Sequence, residues 1–317
     1  MQDSLKVLDS IRLNFSSEGL LILYITLAFI MFGVALQIKV SHFKNIWANK
    51  KLPLIGFVSQ FLVLPAVTFV LIVIFNRFIS PAIAMGMILV ASCPGGNVSN
   101  FMSTLARGNA ALSVTLTAIA TISAMVLTPV NFMLWGGLYT RYISLISSET
   151  LLRTLEIHPV YVFQTVFVLL GIPLLAGMLF NHYFQKLTLK IIRPIKTISI
   201  ICFAAIVVVM FKSNYDFFIG YIHLIFIIVL IHNAVALLSG YLFSSAFRCG
   251  EAEKRTITIE TGIQNSGLAL ALLFNPKIFP EDLAIGGMAF IAAWWGIWHL
   301  IAGLSIAGIW SYRKPKD

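Results

Sequence analysis

Between residues 20 and 310 the chain is a succession of apolar runs separated by short basic loops, and this pattern fixes its solvent. The runs fall at about 20–38, 52–75, 81–105, 110–140, 160–180, 194–211, 217–245, 256–274 and 283–310. In hydrocarbon each backbone N–H and C=O must be satisfied within the protein, so runs of about 20 residues become helices. The expected fold is therefore an all-α polytopic membrane protein of about nine transmembrane helices, the longer ones tilted or extending past the bilayer. Composition agrees, with 59% hydrophobic and 11% charged residues, against about 25% charged in a soluble domain. The hydrophilic stretches 141–159 and 246–255 are too short for a folded soluble domain.

The net charge of +10 is not a nucleic-acid footprint, because the basic residues sit in the short loops. With the N-terminus outside, fifteen of the 22 Lys and Arg fall on the inner side. That bias puts the C-terminus in the cytoplasm and favours an odd number of spans. Residues 1–19 lack the positive flank, apolar core and cleavage site of a signal peptide. The three cysteines, Cys93, Cys202 and Cys249, form no disulfide framework or metal motif. No phosphate-binding GxxxxGK[ST] loop is present, so ATP-driven transport would need a separate subunit, and no ATPase partner is expected. The serines and histidines make no nucleophile arrangement, which argues against an enzyme.

Two runs are interrupted by polar residues at corresponding places in the two halves of the chain. CPGGNVSN occupies 93–100, and IETGIQNSGLALALLF occupies 259–274. Paired interruptions of this kind mark the binding site of a secondary transporter, built from opened helices. Pro94 with Gly95 and Gly96 should break the first helix, which restarts near Asn97 to Ser99 with one of them as cap. Gly262 and Gly267 flank the polar residues of the second. The NVS at 97–99 matches a glycosylation acceptor, but inside a span the match is accidental.

Glu260 is the one acidic residue well inside a run. Together with Ser99, Asn100, Ser113 and Thr117, the last two on one helical face, it offers oxygen ligands suited to a small hard monovalent cation. The bland alternatives are a kink whose polar groups satisfy one another, and a Glu260 that snorkels toward Lys254 or Arg255. Gln264 and Asn265, one turn deeper, count against snorkelling. Gln60 alone reads as a helix-packing hydrogen bond. His299 lines a cavity or caps packing with equal weight, and Trp294, Trp295 and Trp298 read as lipid-facing or interfacial anchors.

IMFGVALQ at 30–37, Gln60 with FLVLP, CPGGNVSN with FMSTLARGNAALSVTLT, HNAVALLSG at 232–240, ITIETGIQNSGLA and the Trp-His pair near the end resemble the bile acid:sodium symporter family of bacterial type. The resemblance implies a sodium-coupled symporter of an organic anion, such as a bile acid or small carboxylate, with inverted repeats and two broken helices that cross. It implies one sodium site at Ser99, Asn100, Ser113, Thr117 and Glu260. A second falls at Gln60, Glu260 and Gln264 with the backbone carbonyls of Thr261 and Ile263, and substrate contacts fall at Asn265 and His299. Ten-span relatives have one more helix at the start, so 1–140 would form a first repeat of four spans and 160–310 a second of five. Spans 2–4 and 7–9 would make the core domain, and spans 1, 5 and 6 the panel domain. The expected location is the plasma membrane, the inner membrane in a Gram-negative cell. A proton-coupled or uncoupled carrier of the same fold, and a non-transporting sensor or structural protein, are the other readings.

Overall fold

The computed structural model describes residues 5, 7–9, 17–36, 38, 50–96, 98–146, 159–213, 215–280, 283 and 285–315. Asn97, one of the two expected caps, lies outside them. The described chain is all-α. Helix α1 is Ser17–Ala35, and α2 runs from Lys51–Val58 through a π turn, Ser59–Val63, into Leu64–Ile74. A first broken helix comprises α3a, Pro81–Ser92, and α3b, Ser99–Leu105. Then come α4, Ala110–Ile146, and α5, which runs Pro159–Val166, π turn Phe167–Gly171 and Ile172–Tyr183. Helices α6, Gln185–Ser213, and α7, Tyr215–Ala246, precede a second broken pair, α8a, Glu251–Gly262, and α8b, Ser266–Leu273. Helix α9, Gly286–Ser311, closes the order.

Every apolar run is thus covered by a helix or a broken pair, in sequence order. Among the described residues six helices, α1, α2, α4, α5, α7 and α9, are long and apolar enough to cross a membrane. The chain is a multi-pass membrane protein with two broken helices. Helix α6 starts at Gln185, ahead of the expected 194, because Lys186, Lys190 and Arg193 extend the helix without extending the apolar run.

Local chemistry accounts for the ends and irregularities that matter. Ser80 caps α3a by accepting from Ile83 N–H at 3.4 Å, and Pro81 follows at a position that needs no donor. In α2, Pro65 supplies no N–H, and the Phe61 carbonyl four residues back accepts instead from Asn131 Nδ2 of α4 at 2.9 Å. The π turn beside this proline is what carries Gln60.

Packing uses small residues, as expected where lipid offers no hydrophobic drive. A Cβ on Gly86 of α3a would lie 2.7 Å from the Met288 Cα of α9, and one on Gly177 of α5 would lie 2.7 Å from the Phe32 carbonyl of α1. Helices α2, α3, α4, α7, α8 and α9 pack around the two breaks, while α1 packs chiefly on α5 and α6. Near the N-terminus, Leu5 and Leu8 are buried and Asp9 Oδ1 accepts from Ser80 Oγ at 2.7 Å. One of the three tryptophans departs from expectation. Trp295 is fully buried with its ring 4.6 Å from that of His232, so it is a core residue and not a lipid anchor.

Candidate ion-binding site at the helix crossing

The two breaks meet each other. Residues 94–96 of the first and 263–265 of the second run antiparallel and pair at Gly95 and Gln264. Gly96 N–H donates to the Ile263 carbonyl at 2.6 Å, and Asn265 N–H donates to the Pro94 carbonyl at 2.9 Å. Backbone groups released by unwinding one helix are thereby satisfied by the other, which is what allows irregular backbone at membrane depth. A third carbonyl, that of Gly262 at the end of α8a, accepts from Asn233 Nδ2 of α7 at 2.8 Å.

The glycines serve this crossing through their size. No described glycine has positive φ, so flexibility is not their contribution. A Cβ on Gly95 would stand 3.3 Å from the Gln60 side-chain amide, the Glu260 carbonyl and Glu260 Oε2. Only a residue without a side chain leaves that polar space open. Gly96 is likewise closed in by Ile263 and the Gln264 carbonyl. Pro94, Gly95 and Gly96 therefore lie in the break as expected. Gly267 does not. The second break ends at Asn265, and Gly267 falls in the first turn of α8b, because the Asn265 side chain accepts from Leu268 N–H at 3.1 Å and starts the helix there. The first helix restarts within the expected stretch, at Ser99, but Val98 precedes α3b and no side chain caps it.

Glu260 is 3% exposed and turns away from the basic end of its helix. Lys254 and Arg255 instead approach Glu251, at 4.0 and 3.5 Å. Snorkelling is excluded. Ser113 Oγ contacts Glu260 Oε1 and also lies 2.8 Å from Asn100 Oδ1. Thr117 Oγ1 lies 3.2 Å from the same Asn100 oxygen and 3.3 Å from Glu260 Oε2. Each hydroxyl has one proton and faces two acceptors, so the two together can satisfy only half of these contacts. Ser99 Oγ is buried and has no hydrogen-bond partner among the described residues. The cluster is rich in lone pairs and short of protons.

The second group of residues is also assembled. In the orientation its neighbours satisfy, the Gln60 amide donates to the Glu260 carbonyl at 3.0 Å and accepts from Gly95 N–H at 2.8 Å and from Gln264 at 3.1 Å. Gln264 Nε2 donates to the Thr261 carbonyl at 2.7 Å, and the Thr261 hydroxyl meets Ser59 Oγ at 2.8 Å. The carbonyls of Thr261 and Ile263 each hold one protein donor, which leaves each a second lone pair. Among the described residues no trio of His, Cys, Asp and Glu gathers to hold a metal, so the donor set is one carboxylate with neutral oxygens.

Asn265 is divided between two tasks. Its Oδ1 caps α8b, while its buried Nδ2 has no partner. Helix α8b begins here, so its free N–H groups and positive dipole end are directed at the same point. His299 is buried in α9 with Nδ1 2.5 Å from the Trp295 carbonyl of its own helix, and no hydrogen bond joins it to the cluster.

Three residues that hold the crossing were not singled out as site residues by the sequence. Asn131 and Asn233 each satisfy a carbonyl at an irregular point of another helix. Arg255, buried, donates through Nη1 to the carbonyls of Ala106 at 2.9 Å, Trp310 at 3.1 Å and Arg313 at 2.9 Å. It ties the C-terminal ends of α3b and α9 to α8a, where a cation also suits two negative dipole ends.

Known proteins resemble this chain along most of its length. The family model described as the sodium bile acid symporter family matches residues 24–221. A sodium-dependent transporter of Bacillus subtilis, YocS, itself uncharacterized, is 32% identical over 298 residues, covering 92% of this chain and 84% of its own. The probable sodium/metabolite cotransporter BASS1 of Arabidopsis thaliana chloroplasts is 33% identical over 296 residues, 90% of this chain and 66% of its own. The human P3 protein is 27% identical over 276 residues, 86% and 54% respectively. With a polytopic all-α fold, two broken helices paired at their breaks and these matches along most of its length, the chain belongs to the sodium bile acid symporter family.

Proposed function

We propose that this chain is a sodium-coupled symporter that takes up an organic anion. The observation that carries the reading is the proton-poor oxygen cluster. Ser113 and Thr117 bring two hydroxyl protons to four acceptor contacts on Glu260 and Asn100, and the Ser99 hydroxyl beside them makes no hydrogen bond among the described residues. A monovalent cation supplies what the cluster lacks. In this reading a first sodium is held by Ser99, Asn100, Ser113, Thr117 and Glu260. A second is held by Gln60, Glu260 and Gln264 with the Thr261 and Ile263 carbonyls. The single carboxylate offsets both cations, so binding of one ion orders the crossing for the other.

The anion would be received at the unpartnered Nδ2 of Asn265 and the start of α8b, with His299 as a further wall residue. Coupling is then reciprocal: sodium orders the crossing that carries Asn265, and the anion tightens sodium by the same factor. The relatives described as sodium/metabolite cotransporters favour a metabolite as the anion.

Nine spans arise if α6 and both broken pairs cross the membrane with the six long helices. Spans 2–4 and 7–9 then form a core domain and spans 1, 5 and 6 a panel. The packing of α1 on α5 and α6 supports this division. Repeats at 1–140 and 160–310 follow, of four and five spans. The split of basic residues supports a cytoplasmic C-terminus and an outer N-terminus in the plasma membrane, or the inner membrane of a Gram-negative cell. A cysteine replacing the exposed Lys314, in a chain lacking the three native cysteines, should react with an impermeant maleimide in inside-out vesicles only. Reaction in right-side-out cells would reverse the orientation.

The direct test is calorimetric titration of the detergent-purified protein with sodium or potassium, repeated with candidate carboxylates. Sodium alone should give a binding heat and raise the unfolding temperature, and carboxylate binding should require it. Asn265→Ala should retain sodium binding while weakening the carboxylate about 5- to 150-fold, the range for one lost buried hydrogen-bond partner. A protein with no sodium heat, and with carboxylate binding that follows pH, would be proton-coupled.

A further inference from the structure

We propose that the basic end of α6 is a binding site for the headgroup of an anionic phospholipid. Asn275 Nδ2, just past α8b, donates to Thr165 Oγ1 near the start of α5 at 2.7 Å. The far end of α5, at Tyr183, is therefore at the same end of the bundle as Arg255 and the end of α9, and α6 starts from it. Lys186, Lys190 and Arg193 follow at spacings of four and three, which sets them on one helical face, and all three are exposed. The sequence from Tyr183 to Lys212 contains no acidic residue, and no ion pair to the three is found among the described residues.

Positive charge on one helix end could mean orientation alone, but the surroundings of these three point to a lipid. Tyr183 and Leu189 are 73% and 70% exposed beside the stripe. Farther along the same helix Ile198, Ile201, Val208 and Val209 are exposed as well. By helical geometry Ile201 and Val208 lie on the same side as the three cations, so one surface passes from exposed apolar side chains to a row of cations without an acidic partner among the described residues. From Lys186 to Arg193 the helix rises roughly 10 Å, enough to cross the roughly 5–8 Å headgroup layer of one leaflet. The aliphatic stems lie along the acyl region and the charged ends reach a phosphodiester. The occupant that satisfies both halves is a lipid with a net negative headgroup. Its functional consequence rests on the symporter reading: it would hold α6, and with it α1 and α5, to one leaflet while the remaining helices move.

Each basic residue near an anionic surface contributes roughly a fivefold factor in affinity, so three give on the order of a hundredfold. Native mass spectrometry of the detergent-purified full chain, titrated with phosphatidylglycerol or phosphatidylcholine, should show the first phosphatidylglycerol binding tens of times more tightly. Lys186→Gln/Lys190→Gln/Arg193→Gln should abolish that preference, and Lys186→Arg/Lys190→Arg should keep it. The single changes Lys190→Gln and Arg193→Gln, each expected to lose about fivefold, give the same reading if the triple variant is poorly folded. Equal binding of the two lipids, a preference that survives the glutamines, or competition by inorganic phosphate as effective as by phosphatidylglycerol would each overturn the proposal. None of these measurements involves sodium, so the site stands or falls apart from the transport reading.

Discussion

A Glu260→Gln protein is expected to bind sodium at least a hundredfold more weakly, below detection by calorimetry. The side chain is buried and bonded to Ser113 and Thr117, and the proposed ion sites have no other negative charge. Leaving a buried charge without its partner costs about 3–5 kcal/mol, and 3 kcal/mol is already more than a hundredfold. The amide keeps the size of the carboxylate and adds a donor, so Ser113 and Thr117 remain bonded and the fold should persist. Circular dichroism and size-exclusion behaviour close to wild type, with sodium-induced stabilisation gone, is the expected result. Glu260→Asp, which keeps the charge on a shorter stem, should recover part of the affinity. Near-native sodium affinity in the glutamine variant would remove Glu260 from the ion shell.

Arg255→Gln should have the largest effect on stability of any single change at the crossing. Its guanidinium serves three carbonyls and lies 5.6 Å from the Trp310 ring centroid. Hydrogen bonds to charged groups contribute about 1.5–3 kcal/mol each. Because they share one nitrogen they do not add, and the expected loss is about 3–5 kcal/mol. Denaturant unfolding in micelles, followed by tryptophan fluorescence, measures it. Lysine at 255 should recover only part, since an ammonium lacks the planar fork and its stacking on Trp310. A loss under 1 kcal/mol in the glutamine variant would mean that the ends of α3b and α9 are held by other means. Sodium affinity should fall in the same variant, because Arg255 and Glu260 are on one helix, α8a.

The broken helices were legible because polarity inside an apolar run has few explanations. Pro94 with two glycines, and the polar residues of IETGIQNS, marked both breaks before any coordinates. What the sequence did not carry was the partner of each exposed backbone group. Nothing local to Asn131 or Asn233 says that their amides reach Phe61 and Gly262, because that depends on how helices distant in sequence align. Gly267 misled for the converse reason. Glycine suggests a break, but the cap chemistry of Asn265 fixes where the helix resumes. Trp295 misled because tryptophan statistics at membrane interfaces say nothing about a position that faces His232 in the core. Gln60 taken alone read as packing and only the family resemblance placed it in a site; the π turn next to Pro65 is what brings it to Gly95 and Glu260.

The mutual pairing of the two breaks has a consequence for biogenesis. Ser113 and Glu260 are separated by 147 residues, and Gln60 and Gln264 by 204. At a synthesis rate of about 5–20 residues per second, the first break waits on the order of ten seconds for the second to leave the ribosome. During that interval the Pro94 carbonyl and Gly96 N–H have no rung to join, and the oxygens of Asn100, Ser113 and Thr117 have no carboxylate. The half-made protein must therefore be held in a hydrated or proteinaceous environment, because hydrocarbon would penalise each unpaired group by several kcal/mol. Insertion of the first four helices is in this sense provisional, and the nascent chain becomes a self-sufficient membrane protein only when residues 263–265 arrive.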